Sequence, residues 1–138
     1  MSIPFSGTFK RSGGVVSAIG KQLKSVNLKP VNKVLVKFDP FAENITPTRD
    51  FLYYLTAPKI IKTNPSCGIK TEIICDRSEP IISFDLATGE KIIFKSFNLT
   101  TLELLQLYNK HVSVLAPVEA PVAEVQTKSG KKGGVKRR

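Results

Sequence analysis

The sequence is poor in the residues that most catalytic and metal chemistry needs. In 138 residues there is one histidine, two cysteines and no tryptophan. One imidazole and two thiols cannot make a four-ligand zinc site without carboxylates, and two cysteines do not make a disulfide scaffold. No apolar run approaches eighteen residues, which excludes a helical membrane span. No apolar run of secretory-signal length lies near the N-terminus. A glycine-rich phosphate loop is also missing, since Gly13-Gly14 stands alone. No serine or cysteine is placed to use His111 as a base, and an imidazole near a helix C-terminus is ordinary. These absences argue against an enzyme and against a bound cofactor, metal or small-molecule substrate.

Acid is scarce as well, and its distribution is informative. Lys and Arg number 21 against 11 Asp and Glu, a net charge of +10. Residues 1–38 hold seven basic residues and no acid, and residues 39–112 hold eight basic against nine acidic. Residues 113–138 hold six basic and two acidic. A nearly balanced middle with basic ends favours a polyanionic partner such as nucleic acid.

The two ends differ in texture. Residues 1–30 contain five serines, five basic residues and no acid. On a helix, Val15, Val16, Ile19, Leu23 and Val26 would share one face, with Lys21 and Lys24 off it. That is the composition of a mitochondrial targeting segment or of a basic arm, and either reading places residues 1–30 outside the fold. At the other end, the Pro/Ala/Val-rich stretch from Ala116 to Ala123 reads as an extended linker. Lys128 to Arg138 follows with six positive charges, and too few apolar groups to offset ordering. It is expected to be a disordered, phosphate-seeking tail; Lys136-Arg137-Arg138 also fits a nuclear import cluster.

The middle, residues 31–113, alternates as a folded domain does. Val34, Val36 and Phe38 have the period of a strand that ends at Asp39-Pro40. Thr46-Pro47 predicts a helix start capped by the threonine, with Phe51, Leu52 and Leu55 on one face. Pro58 interrupts that helix, and a short turn through Ile60 and Ile61 follows. Ile69–Cys75, Ile81–Leu86 and Lys91–Lys95 read as three further strands, the last two joined by a tight turn at Gly89. Thr100-Thr101-Leu102-Glu103 is a capping box opening a helix whose stripe is Leu102, Leu105, Tyr108 and Val112, widened by Leu104. The β-α-β-β-β-α order predicts an α/β (α+β) domain, with a mixed four-stranded sheet covered by both helices. It is the element order of a minimal thioredoxin-like domain. A ferredoxin-like arrangement needs a helix between the third and fourth strands, and Ala87–Glu90 has no room for one.

Thioredoxin-type redox chemistry needs Cys-x-x-Cys at the first helix, where the sequence reads Asp39-Pro40-Phe41-Ala42-Glu43-Asn44. Cys67 and Cys75, eight apart, read as a loop thiol and a core thiol.

Val34-Leu35-Val36-Lys37-Phe38-Asp39-Pro40-Phe41 resembles the strand-plus-Pro-Phe signature of the family of mitochondrial large-subunit ribosomal protein fifty-three. The resemblance continues in order through Thr48-Arg49-Asp50-Phe51-Leu52, Thr63-Asn64 with Cys67, Ser78-Glu79-Pro80, and Leu99-Thr100 with Leu102-Glu103. It covers about Leu28 to Val112. It implies a redox-inactive thioredoxin-like fold and a structural place in the large subunit of the mitochondrial ribosome, in the matrix. That place is near the stalk base, against rRNA and neighbouring ribosomal proteins. The alternative is a redox-dead thioredoxin-like accessory subunit of respiratory complex I; a thiol oxidoreductase and a nuclear RNA-binding protein are further rivals.

From charge, the candidate RNA contacts are Lys10, Arg11, Lys21, Lys24, Lys29 and Lys33, together with Lys131, Lys132, Lys136, Arg137 and Arg138. Phe41 and Tyr53 are the candidate protein contacts. Phe41 is as well suited to capping the sheet. Tyr53 and Tyr54, adjacent on a helix, cannot both be core.

Overall fold

The computed structural model describes residues 14–116. The elements are α1 (Val15–Leu23), β1 (Val31–Phe38), α2 (Thr46–Leu55), α3 (Pro58–Ile61), β2 (Gly68–Ile73), β3 (Ile81–Leu86), β4 (Lys91–Lys95) and α4 (Thr101–His111), closed by a 3-10 turn at Ser113–Leu115. The sheet order is β2-β1-β3-β4. β1 and β2 run parallel, while β1–β3 and β3–β4 are antiparallel. The mixed sheet expected from α2 acting as a crossover and from the short β3–β4 turn is present. Gly89 supplies that turn with φ +91°, a conformation a Cβ disfavours.

The alternation of β1 selects the core face. Val34, Val36 and Phe38 are buried, as are Ile82, Phe84 and Leu86 on β3 and Phe94 on β4. Val31 joins this face although it is three residues from Val34, because a register shift between Val31 and Lys33 opposes one residue of β3. Phe51 of α2 and Tyr108 of α4 both meet Phe84, with ring centroids 6.3 and 5.2 Å apart. Both helices therefore cover the same side of the sheet. α1 packs along α4, where the Asn109 side-chain amide donates to the Gln22 carbonyl at 2.9 Å. The described residues form two layers, helices on one face and nothing helical on the other.

Three expectations need correction. Residues 14–30 lie inside the fold, since Val26 and Leu28 are core residues and Ile19 and Leu23 pack against them. Their lack of acid made them look like a detachable arm, yet two polar clusters tie them in. Tyr108 Oη donates to the Asn27 carbonyl at 2.9 Å. The Asn64 amide donates to the carbonyls of Leu28 and Val31, and Thr63 Oγ1 accepts from the Leu28 N–H. The helical stripe read for this segment is also only half right, because Val15 and Val16 are exposed and Val26 lies beyond the helix.

Secondly, Thr46 is not the cap of α2. Ile45 takes that position without a side-chain bond, its own side chain buried in the core, and Thr46 is already helical. Thirdly, β2 ends at Ile73 rather than at Cys75. It is an edge strand, so Thr71 and Ile73, although aligned with the core face, stay exposed. The Thr100–Glu103 capping box forms as expected, with the Thr100 N–H donating to Glu103 Oε2 at 2.8 Å and the Glu103 N–H to Thr100 Oγ1 at 3.3 Å.

Candidate functional site

The end of the sheet where β1 stops is built around Asp39. Its side chain is buried, with Oδ1 accepting from the Phe41 N–H at 2.9 Å and Oδ2 from the Arg77 N–H at 3.0 Å. The first bond turns the chain out of β1. The second holds the 74–80 connection, which must pass over β1 to carry β2 into β3. Arg77 is in the left-handed region there, at φ 55°. Between the two loops lies a groove of about 760 Å³ flanked by Phe41, Glu43, Cys75, Arg77, Glu79 and Phe97. Phe41 is 90% exposed, so it does not cap the sheet. Its rigid turn instead presents an aromatic ring beside two carboxylates. Tyr53 is 75% exposed on α2, while Tyr54 packs against the core, with their rings 5.7 Å apart.

No pair of thiols meets at this end of the sheet. Cys67 and Cys75 are free and bracket β2 at its two ends. A strand advances about 3.3 Å per residue, so the eight-residue separation is about 26 Å, far beyond disulfide reach. Burial pushes the Cys67 thiol up, the opposite of an activated nucleophile. Burial likewise raises the Tyr108 phenol, with Cys67 nearby acting in the same direction. His111 is exposed at the end of α4. Among the described residues no group of His, Cys, Asp and Glu can hold a metal ion, and no helix is long and apolar enough to cross a membrane.

Residues 38–89 match the family model of the 39S ribosomal protein L53/MRP-L53. The match spans 52 of the 138 residues, and over that span the chain is similar to this family. The family that the model describes is one of ribosomal proteins. The matched segment runs from the last residue of β1, through the Asp39 turn, to the β3–β4 turn. It therefore contains both loops of the Phe41 groove.

The candidate RNA contacts separate in space. Lys21 and Lys24 are exposed on and just after α1, and Lys29 is half-buried in the segment leading to β1. Lys33 is exposed on β1, on the sheet face that no helix covers. Lys10, Arg11, Lys131, Lys132, Lys136, Arg137 and Arg138 lie outside the described residues. Counting charge by chain segment overlooked the lysines that share a face with Lys33: Lys37, Lys70, Lys91 and Lys95. Their period-two placement on the strands could have revealed them, but that pattern does not say which face the two helices cover.

Proposed function

We propose that this protein is a structural constituent of the large subunit of the mitochondrial ribosome that binds rRNA phosphates and neighbouring ribosomal proteins. The observation that carries the reading is the match of residues 38–89 to a mitochondrial ribosomal family. Chemistry supports it: an absent catalytic set, free and separated thiols, and a strongly basic chain. Basic residues on the surface and in the terminal segments neutralise phosphates and release counterions, which gives affinity without base selectivity. The Phe41 groove and Tyr53 form the protein-facing side, since exposed aromatics beside charge are what interface anchors are made of.

In this reading the scaffold is thioredoxin-like, supported by the β-α-β-β-β-α order from β1 to α4 and the mixed sheet. The subunit sits near the stalk base. Import into the matrix uses residues N-terminal to α1, because α1 and Leu28 belong to the fold. Sedimentation of a mitochondrial lysate on a density gradient tests the proposal. Co-migration with the large subunit, lost after ribonuclease treatment, is expected. Migration with a membrane complex indifferent to ribonuclease would refute it.

A further inference from the structure

The sheet face turned away from the helices is open to solvent among the described residues, and its composition is unusual. Strand register places twelve side-chain positions on it in three rows. The first row is Gly68, Lys33, Asp85 and Lys91; the second is Lys70, Leu35, Ser83 and Ile93; the third is Glu72, Lys37, Ile81 and Lys95. Five of these residues are lysines and two are acids.

The acids are occupied. Lys37 Nζ pairs with Glu72 at 2.8 Å, and Lys91 Nζ with Asp85 at 3.7 Å. Lys33, Lys70 and Lys95 are exposed and have no ion pair among the described residues. The hydrogen bond from Lys37, with the nearby charges of Lys37, Lys70 and Lys33, holds the Glu72 carboxyl below its usual range. The lysines thus act on one spot. Residues 14–116 carry thirteen Lys and Arg against nine Asp and Glu, a net charge of +4, and this single face accounts for +3 of it.

We infer that the open sheet face, through Lys33, Lys70 and Lys95 with Lys37 and Lys91 beside them, docks on the phosphates of a base-paired RNA helix. The inference deepens the ribosomal reading and rests on it. Charge selects a polyanion. A protein partner fits poorly, because interface cores are depleted in lysine and enriched in aromatics, Met and Arg. This face has five lysines and none of the others. The segment 117–138 of this chain carries the same sign of charge and does not complement it. A single strand fits poorly too, since sheet surfaces that bind single strands do so by stacking bases on aromatic rings, and no ring is present. What remains is sequence-independent contact with a duplex backbone. The four strands spread the lysines over about 14 Å across the sheet, and β1 carries them over about 13 Å along it.

The test uses the full chain and its Lys33→Gln/Lys70→Gln/Lys95→Gln variant. All three side chains are exposed, so thermal unfolding confirms that the variant is folded. The probes are a 20-base-pair RNA duplex of arbitrary sequence and a single-stranded oligouridine of equal length, titrated by fluorescence anisotropy from 50 to 200 mM salt. At about 0.9 per phosphate contact, three lost contacts lower the slope of log K against log salt by about 2.7. Over this fourfold range the parent then loses about 40-fold more affinity than the variant. Lys59→Gln/Lys62→Gln/Lys110→Gln, with the same charge change off this face, is expected to keep the parent's slope.

An unchanged slope in the sheet variant overturns the inference, as does an equal drop in the off-face variant. Oligouridine binding as tightly as duplex overturns the choice of a helix. Loss of large-subunit association with an unchanged RNA slope would assign the face to an acidic protein instead. If the parent itself fails to co-sediment with the large subunit, the ribosomal reading fails. If only the slope prediction fails while co-sedimentation holds, the sheet-face assignment alone is lost.

Discussion

Replacing Leu28 with alanine is the sharpest test of how this domain is held together. Leu28 is fully buried, and the backbone on both sides of it is pinned. Its N–H donates to Thr63 Oγ1 at 3.0 Å, and its carbonyl accepts from the Asn64 amide at 3.0 Å and from the Val31 N–H at 2.9 Å. A segment tied this way cannot slide inward to fill the space, so most of the cavity persists. Truncation of a buried leucine costs about 3–5 kcal/mol, more where the site cannot collapse. For a domain of this size that lowers Tm by about 12 °C or more. Urea unfolding followed by circular dichroism should show a lower midpoint with an unchanged slope. Leu35→Ala is the control, because Leu35 is only half-buried on the open sheet face and its loss leaves no enclosed void. It should cost under about 1 kcal/mol. If Leu28→Ala is as mild as Leu35→Ala, residues 14–30 do not belong to the cooperative unit and the domain begins at the first strand.

Three further outcomes are expected. Asp39→Ala leaves the Phe41 and Arg77 N–H groups without their acceptor and should cost about 3 kcal/mol in chemical denaturation. It should also speed proteolysis within the 74–80 connection. Thr100→Ala removes the cap of α4 and should lower stability by about 1 kcal/mol. The cap also has a pH signature: bonds from the Thr100 N–H and hydroxyl hold the Glu103 carboxyl below its usual range. Its contribution is therefore complete above the ordinary glutamate pKa and is lost as pH falls through the lowered folded value. The gap between parent and Thr100→Ala should narrow in acid, where the bond from the Thr100 hydroxyl to the carboxylate is lost, without closing, because the Glu103 N–H still donates to Thr100 Oγ1; a constant gap would refute this linkage. Finally, a thiol-specific reagent at neutral pH should modify exposed Cys75 well before half-buried Cys67, and mass spectrometry of the oxidised chain should find no intramolecular disulfide.

The strands were legible because alternation is a local property. Val34, Val36 and Phe38 alternate with Lys33, Leu35 and Lys37, and Ile82, Phe84 and Leu86 with the smaller or polar Ser83, Asp85 and Ala87, so β-branched and aromatic residues at period two place them. The α4 capping box was equally local, since Thr100 and Glu103 satisfy each other's backbone within four residues. Sequence also determined part of the chemistry that is missing, because no fold can supply a Cys-x-x-Cys motif or a second imidazole that the chain does not contain.

Tertiary structure decided the rest. Composition marked residues 14–30 as detachable, and only packing shows that Leu28, held by Thr63 and Asn64 from about 35 residues away, completes the core. Alternation establishes that Lys33, Leu35 and Lys37 share a face but not whether that face is covered. That depends on which side of the sheet α2 and α4 cross, and on the 74–80 connection being a loop pinned by Asp39 rather than a helix. The exposure of Phe41 has the same origin. A phenylalanine following a strand can cap the core or face solvent, and a bond from its own N–H to a buried aspartate turns it outward.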